Sequence, residues 1–157
     1  MLPRPPLKIV LAEDNPHDVT LVRMALNDAG LDFDLRVLAD GEQAMLFIES
    51  LDQDSRQPVI DLLLLDLNLP KWDGEEILKR LRSTERIART PVIVMTGSHT
   101  TRGYESAQKN AAMHYFRKPS SLVEYMRLGM VVRDLFFSPK NMHREGSTPP
   151  LKEGPGL

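Results

Sequence analysis

The sequence predicts an α/β fold in which helices cover both faces of a parallel sheet. Short apolar segments with strand character alternate along the chain with longer segments whose apolar residues recur at helical spacing. The segment 62–66 is apolar until its last residue, Asp66, which is typical of a strand buried on both faces. Right-handed connections between parallel strands would then place helices on both sides of the sheet.

Composition and charge restrict the classes of protein to which the chain can belong. Its 157 residues suffice for one domain, and its apolar and charged fractions of 41% and 27% are typical of a water-soluble globular protein. The net charge of −2 argues against a nucleic-acid partner, and no apolar stretch approaches the ~18 residues of a membrane span. The absence of cysteine excludes disulfides and thiol chemistry. Because residues 1–6 do not resemble a signal peptide, we expect a cytoplasmic protein.

Turn and capping residues set the boundaries of the first elements. Asn15-Pro16 is a favoured start for the first helix, and Gly30 is a favoured residue just past its end. Asp40 followed by Gln43 forms a capping-box pattern at the start of the second helix. The predicted strands comprise residues 7–11, 35–38, 62–66, 91–95 and 113–117.

Three further helices complete the predicted order of elements. The third opens at Asp73-Gly74, and the fourth covers residues 100 to about 110 with weak apolar character. Ser121 and Glu124 form a capping-box pattern for the last helix. The apolar residues of that helix are expected to pack into the core, and they include Leu122, Met126 and Met130.

The chain divides into three parts. Residues 1–6 are an N-terminal extension, and residues 7–137 carry the alternating elements of a single domain. Residues 138–157 contain four prolines and three glycines with almost no aliphatic residues. Because such a composition cannot form a packed core, we expect this tail to be disordered.

Polar residues stand at the carboxyl ends of four predicted strands. In an open parallel sheet these ends line one crevice, where ligands bind. The residues are Glu13-Asp14 after the first strand, Asp66 at the end of the third, Thr96-Gly97 after the fourth and Lys118-Pro119 after the fifth. We therefore expect carboxylates, a hydroxyl group and an ammonium group to meet at one edge of the sheet.

This set of groups suits the transfer of a phosphoryl group to Asp66. A carboxylate is a competent nucleophile at phosphorus. Two carboxylates ~4 Å apart repel each other by ~4 kcal/mol at a surface-like dielectric, so the acidic residues need a cation, and oxygen ligands with room for water suit Mg²⁺. Lys118 would neutralise phosphate oxygens, and Thr96 would donate a hydrogen bond to the transferred group.

These residues and their neighbours carry a resemblance that spans residues 7–137. Glu13-Asp14, Asp66 to Pro70, Asp73-Gly74, Thr96-Gly97, Tyr115 and Lys118-Pro119 together resemble the receiver domain of two-component response regulators. The resemblance implies a flavodoxin-like (βα)₅ fold, a doubly wound five-stranded parallel sheet with the strand order 2-1-3-4-5. It implies that a sensor histidine kinase phosphorylates Asp66. It also implies a Mg²⁺ ion held by Asp14, Asp66, the backbone carbonyl of Asn68 and, through water, Glu13.

The resemblance also implies a switching mechanism. Thr96, Gly97 and Lys118 would bind the phosphoryl group, while Thr96 rotates towards it and Tyr115 turns inward behind it. This motion would change the face formed by the fourth helix, the fifth strand and the last helix, which an unknown downstream protein reads. Two residues resemble family positions that tune the rate of phosphate loss: Asn68 and Ser98.

Within the family, the residues after Asp66 and the polar loop 52–58 look like those of small single-domain regulators paired with phytochrome-type kinases. We therefore expect no DNA-binding or enzymatic output domain, and a protein that passes the phosphate onward or changes a partner's behaviour. The apolar surplus of the last helix adds the expectation of a homodimer through that region. Ala111 stands where the family usually has glycine, so we expect the neighbouring Asn110 to supply the positive φ.

Two other classes of function stay open beside this signalling switch. A Mg²⁺-dependent phosphatase of the haloacid-dehalogenase type also uses an aspartate nucleophile, but it has a second aspartate where this chain has Asn68, which cannot transfer the proton. A scaffold that works without phosphorylation would leave no reason for Thr96, Lys118 and the acids to coexist. Turnover of a small phosphomonoester would indicate the phosphatase. Equal partner affinity with and without a phosphoryl mimic would indicate the scaffold.

Overall fold

A computed structural model gives the fold and describes residues 2–97, 101–139 and 152–153. The strands are β1 (Leu7–Ala12), β2 (Phe33–Leu38), β3 (Leu62–Asp66), β4 (Val92–Thr96), β5 (His114–Arg117) and β6 (Lys152–Glu153). The helices are α1 (Pro16–Asp28), α2 (Gly41–Gln53), α3 (Gly74–Ser83), α4 (Thr101–Lys109), α5 (Leu122–Tyr125) and α6 (Arg127–Phe137). The strands form one parallel sheet with the order β2-β1-β3-β4-β5-β6. The predicted α/β flavodoxin-like fold and the predicted order of the first five strands are confirmed.

Helices cover the sheet on both faces because successive strand residues point to opposite sides. One face packs against α2, α3 and α4 through strand residues that include Val10, Ala12, Leu63, Leu65, Val92 and Val94. The other face packs against α1, α5 and α6 through strand residues that include Ile9, Leu11, Leu62, Leu64, Ile93 and Met95. Strands β3 and β4 are therefore buried along their whole length, which explains their almost unbroken apolar sequences.

Capping hydrogen bonds confirm the predicted starts of the first three helices. The Asn15 side chain accepts a hydrogen bond at 2.9 Å from the backbone N–H two residues further on, and Pro16 is the first residue of α1. The carboxylates of Asp40 and Asp73 each accept from the backbone N–H three residues further on, at 2.8 and 3.0 Å. Gly30, just past α1, has a φ of +72°, a conformation that favours glycine.

The predicted last helix is divided into two helices, α5 and α6. Ser121 precedes α5, but its side chain makes no capping hydrogen bond, so the predicted capping box is wrong. The expectation that Leu122 and Met130 lie in the core is also wrong, because each residue is 50% exposed. Leu128 and Val132 take the buried positions of α6 instead.

A residue with positive φ follows α4, but it is Ala111, at +55°, and not Asn110. The backbone N–H and the side-chain amide of Asn110 both donate to the carbonyl oxygen of Ser106, at 3.0 and 2.9 Å. These bonds continue the helical pattern through residue 110. The predicted role of Asn110 is therefore wrong, and the alanine itself adopts the left-handed conformation.

The strand β6 was not predicted. Lys152 and Glu153 pair in parallel with His114 and Tyr115, which adds a short sixth strand beside β5. Residues 140–151 and 154–157 lie outside the described residues, so the expected disorder of the tail stays a prediction there. Of the helices in the described part of the chain, none has the length and apolar character needed to cross a membrane.

Candidate functional site

The ends of four strands bring the predicted site residues to one edge of the sheet. Asp66 is the last residue of β3 and lies opposite Met95 of β4, the strand that ends in Thr96. The backbone N–H of Lys118, just past β5, donates to the carbonyl oxygen of Thr96 at 2.8 Å. Glu13, just past β1, reaches the Lys118 Nζ atom with Oε2 at 2.6 Å. The structure thus brings Glu13 and Asp66 together at the Lys118 ammonium group, which contacts both carboxylates.

Glu13, Asp14 and Asp66 form an acidic group at this edge. One carboxylate oxygen from each residue lies within 4.8 Å of the other two. Glu13 and Asp66 are buried, whereas Asp14 is exposed, so the group opens to solvent on one side. A set of oxygen ligands with an open side fits a hard divalent cation that keeps several water molecules, such as Mg²⁺.

The ammonium group of Lys118 lies among three carboxylates. Its Nζ atom is 2.6 Å from Glu13 Oε2, 2.9 Å from Asp66 Oδ2 and 3.1 Å from Asp18 Oδ2. The lysine side chain is only 11% exposed. Asp18, in the first turn of α1, was missed by the sequence analysis, because an acidic residue at that position is ordinarily explained by the helix dipole.

Burial and charge shift the pKa values of this cluster. Burial raises the pKa of Glu13 to about 7, although its hydrogen bond to Lys118 acts in the opposite direction. Burial acts against the charged form of Lys118, but its hydrogen bonds to Glu13 and Asp66 outweigh that effect and raise the lysine pKa. Lys118 therefore stays positively charged, and the site combines one fixed cation with crowded acids.

Tyr125 of α5 is a second residue that the sequence analysis missed. Its ring is buried and packs edge to face against Phe116, with the centroids 5.9 Å apart. Burial raises the pKa of its hydroxyl group, and the next cause is the negative charge of Asp18. Tyr125 thus lies near enough to Asp18 for that charge to act on its hydroxyl group, and no feature of the local sequence distinguishes it from an ordinary core tyrosine.

The loop after β3 holds Asp66 in a fixed conformation. The Asp66 Oδ1 atom accepts a hydrogen bond at 2.9 Å from the backbone N–H of Asn68, whose side chain is exposed. Gly74 approaches this loop so closely that a Cβ atom there would lie 2.5 Å from the carbonyl oxygen of Asp66. The backbone N–H of Gly41 donates to the carbonyl oxygen of Pro70 at 2.9 Å, and this bond connects the loop to the start of α2.

The other predicted residues lie around this centre. Thr96 is buried, and Gly97 follows it directly. The buried ring of Tyr115 on β5 packs edge to face against Tyr104 of α4, with the centroids 5.6 Å apart. Ser98 lies outside the described residues. The roles predicted for these residues in phosphoryl binding, switching and rate tuning stay predictions.

A cavity of about 260 Å³ lies elsewhere, between the first halves of β1 and β2, the helix α2 and the segment that leads into β3. Residues that line it include Arg36, Phe47 and Gln57, and none of the predicted site residues does. The chemistry of the acidic edge is therefore independent of this cavity.

Comparison with known sequences shows that the chain belongs to the response regulator receiver domain family, whose sequence profile matches residues 9–128. Response regulator Rcp1 from Synechocystis sp. is 41% identical over 95 residues, which are 60% of this chain and 65% of Rcp1. The match thus spans slightly less than two thirds of Rcp1. The site described above lies within residues 9–128, which the family profile matches.

Two solved structures have similar folds. The phosphorylated cyanobacterial phytochrome response regulator RcpA superimposes with a TM-score of 0.75 and 28% identity, over 85% of this chain and 95% of RcpA. The Mn²⁺-bound form of Rcp1 superimposes with a TM-score of 0.74 and 30% identity, over 85% of this chain and 96% of Rcp1.

Proposed function

We propose that this response regulator accepts a phosphoryl group on Asp66 from a sensor histidine kinase and signals through a phosphorylation-dependent change of its surface. The observation that carries the proposal is the position of Asp66. It lies 2.9 Å from the Lys118 ammonium and within the acidic group that fits a divalent cation. We assign the receiver domain to residues 7–137, with residues 1–6 and 138–157 as its extensions.

In the transfer, one carboxylate oxygen of Asp66 bonds to phosphorus while the phosphorus–nitrogen bond of the kinase phosphohistidine breaks. The imidazole nitrogen keeps the electron pair of that bond and takes up a proton. Lys118 neutralises the phosphoryl oxygens, and the Thr96 hydroxyl donates a hydrogen bond to them. Gly97, which follows Thr96, is the third residue that binds the phosphoryl group. The protein assists only its own phosphorylation and dephosphorylation. Mg²⁺ would supply further positive charge, and the residues that would hold it are Asp14, Asp66, Asn68 through its backbone carbonyl and Glu13 through water.

The relatives support both the cation and the type of partner. Rcp1 has been crystallised with Mn²⁺, and RcpA is a phytochrome response regulator whose structure is that of a phosphorylated form. By this similarity, the kinase partner of the present chain is a phytochrome-type sensor kinase that meets it in the cytoplasm.

The output surface in this proposal is the face that contains α4, β5 and the last helices. Tyr115 connects β5 to α4 through its contact with Tyr104, and Thr96 lies at the end of the neighbouring strand. The exposed apolar residues on the last helices are available to a downstream protein or to a second copy of the chain: Leu122, Val123 and Met130. Asn68 and Ser98 set the rate of phosphate loss.

The two alternatives receive less support. The family membership and the asparagine at position 68 speak against a haloacid-dehalogenase-like phosphatase. The direct contacts of Lys118 with buried carboxylates speak against a scaffold without chemistry, because a buried ion cluster carries a desolvation cost that a scaffold does not require.

Intact-mass spectrometry tests the proposal. Purified protein incubated with Mg²⁺ and acetyl phosphate should gain one phosphoryl group, about 80 Da. The gain should be absent after chelation of Mg²⁺ and absent in the Asp66→Asn variant, whose folding is checked by circular dichroism. A gain that persists in Asp66→Asn would refute Asp66 as the acceptor. Transfer from an autophosphorylated phytochrome-type kinase then tests the partner.

A further inference from the structure

We propose that Asp18 is a positioning residue that holds the Lys118 ammonium at the phosphoacceptor site. An ammonium group has three N–H donors. The three carboxylates around Lys118 come from three elements: Glu13 after β1, Asp18 in α1 and Asp66 in β3. All three donors are thus occupied. This inference rests on the proposed function.

Asp18 differs from the other two acceptors because no part in cation binding is assigned to it. Glu13 and Asp66 belong to the acidic group that fits a cation, whereas Asp18 does not belong to that group among the described residues. When Asp66 becomes an acyl phosphate, it loses its carboxylate charge. Asp18 is then the acceptor whose charge stays fully available to Lys118.

The position of Asp18 is rigid. It is the third residue of α1, and the start of that helix is fixed by the Asn15 cap and by Pro16. A lysine side chain carries roughly 2 kcal/mol of rotamer entropy, which must be overcome before its ammonium is held in one place. A carboxylate that is 18% exposed, facing an ammonium that is 11% exposed, provides a stronger contact than a solvent-exposed ion pair.

The competing explanation is that Asp18 only complements the dipole of α1, as acidic residues do in many first turns. Glu76 provides a matched control, because it is the third residue of α3 and its side chain is exposed. Glu76→Gln removes a charge from the same helical position without touching Lys118. A dipole effect predicts similar changes in the rate of phosphorylation for Asp18→Asn and Glu76→Gln.

Three variants and two measurements test the inference. Asp18→Asn keeps an oxygen acceptor without charge, and Asp18→Ala removes the acceptor. The rate of phosphorylation by acetyl phosphate and Mg²⁺ should fall roughly tenfold in Asp18→Ala and about twofold in Asp18→Asn, because a tenfold change corresponds to about 1.4 kcal/mol, the size of one charge-assisted hydrogen bond. Glu76→Gln should react at the wild-type rate.

The second measurement reports on Lys118 directly, by ¹H–¹⁵N NMR of lysine ammonium groups. The Lys118 signal, assigned by its loss in Lys118→Gln, should be protected from exchange in the wild type, weakened in Asp18→Asn and lost in Asp18→Ala. An Asp18→Ala variant with the wild-type rate or an unchanged Lys118 signal would overturn the inference. Equal rates in Asp18→Asn and Asp18→Ala would also overturn it, since the presence of a hydrogen-bond acceptor at this position would then make no difference to Lys118. A wild-type protein that accepts no phosphoryl group would instead refute the proposed function.

Discussion

Replacing Arg82 by methionine should destabilise the protein more than the same replacement of Arg80, the other arginine of α3. The guanidinium of Arg82 donates to the Asn110 and Ala111 carbonyls at 2.8 and 3.0 Å. It also donates to the Ala88 and Thr90 carbonyls at 2.9 and 2.6 Å. One side chain thus connects the end of α4 to the segment that leads into β4, and it holds the residue with positive φ in place.

The expected loss follows from these four bonds. A hydrogen bond from a charged donor contributes about 1.5–3 kcal/mol, but bonds that share one side chain are not additive, and the methionine side chain restores part of the packing. We expect a loss of about 3 kcal/mol in the free energy of unfolding, or roughly 10 °C in Tm. Urea unfolding followed by circular dichroism measures this quantity.

Arg80→Met is the matched control. Arg80 lies on the same helix and makes a side-chain hydrogen bond to Ser83 Oγ at 3.5 Å. Its replacement should change stability by less than about 0.5 kcal/mol. The reasoning is refuted if Arg82→Met loses less than about 1 kcal/mol, or no more than Arg80→Met.

Two further substitutions test backbone features. Ala111→Gly should raise the free energy of unfolding by up to about 1 kcal/mol, because the left-handed conformation at φ +55° is costly for alanine and not for glycine, and a thermal melt that shows lower stability would contradict this. Gly129→Ala should lower the free energy of unfolding by about 2 kcal/mol or more, because its Cβ atom would lie 2.0 Å from the Ala25 carbonyl oxygen and would force α6 away from α1. Gly97→Ala is its control for the same urea measurement, since a Cβ atom at Gly97 meets no heavy atom of the described residues within 4 Å. Equal losses in both variants would contradict the close-approach explanation.

The sequence predicted those features that depend on local chemistry or on topology. Asn15 and Asp40 cap their helices through bonds to residues two and three positions away, so a short stretch of sequence contains both partners. The meeting of Asp66 and Lys118 follows from topology, because the carboxyl ends of parallel strands lie at the same edge of any such sheet. Neither prediction required knowledge of how the side chains pack.

Features that depend on packing between distant segments were not predictable. Asp18 reaches Lys118 across 100 positions in the chain, and this contact requires a particular orientation of α1 against the end of β5. The carbonyl oxygen of Ala111, the residue with positive φ, accepts a hydrogen bond from Arg82, which is 29 positions away. Both outcomes depend on distances that residue type and local spacing do not contain.

The most direct test of the account is the chemical location of the phosphoryl group. Sodium borohydride reduces an acyl phosphate of aspartate to homoserine, so peptide sequencing by mass spectrometry identifies the residue that carried the phosphate. After reaction with acetyl phosphate and Mg²⁺, homoserine should replace aspartate at position 66 and at no other acidic residue, and chelation of the metal should abolish it. Homoserine at Asp14 or Asp18, or an equal yield at position 66 without a divalent cation, would contradict the account.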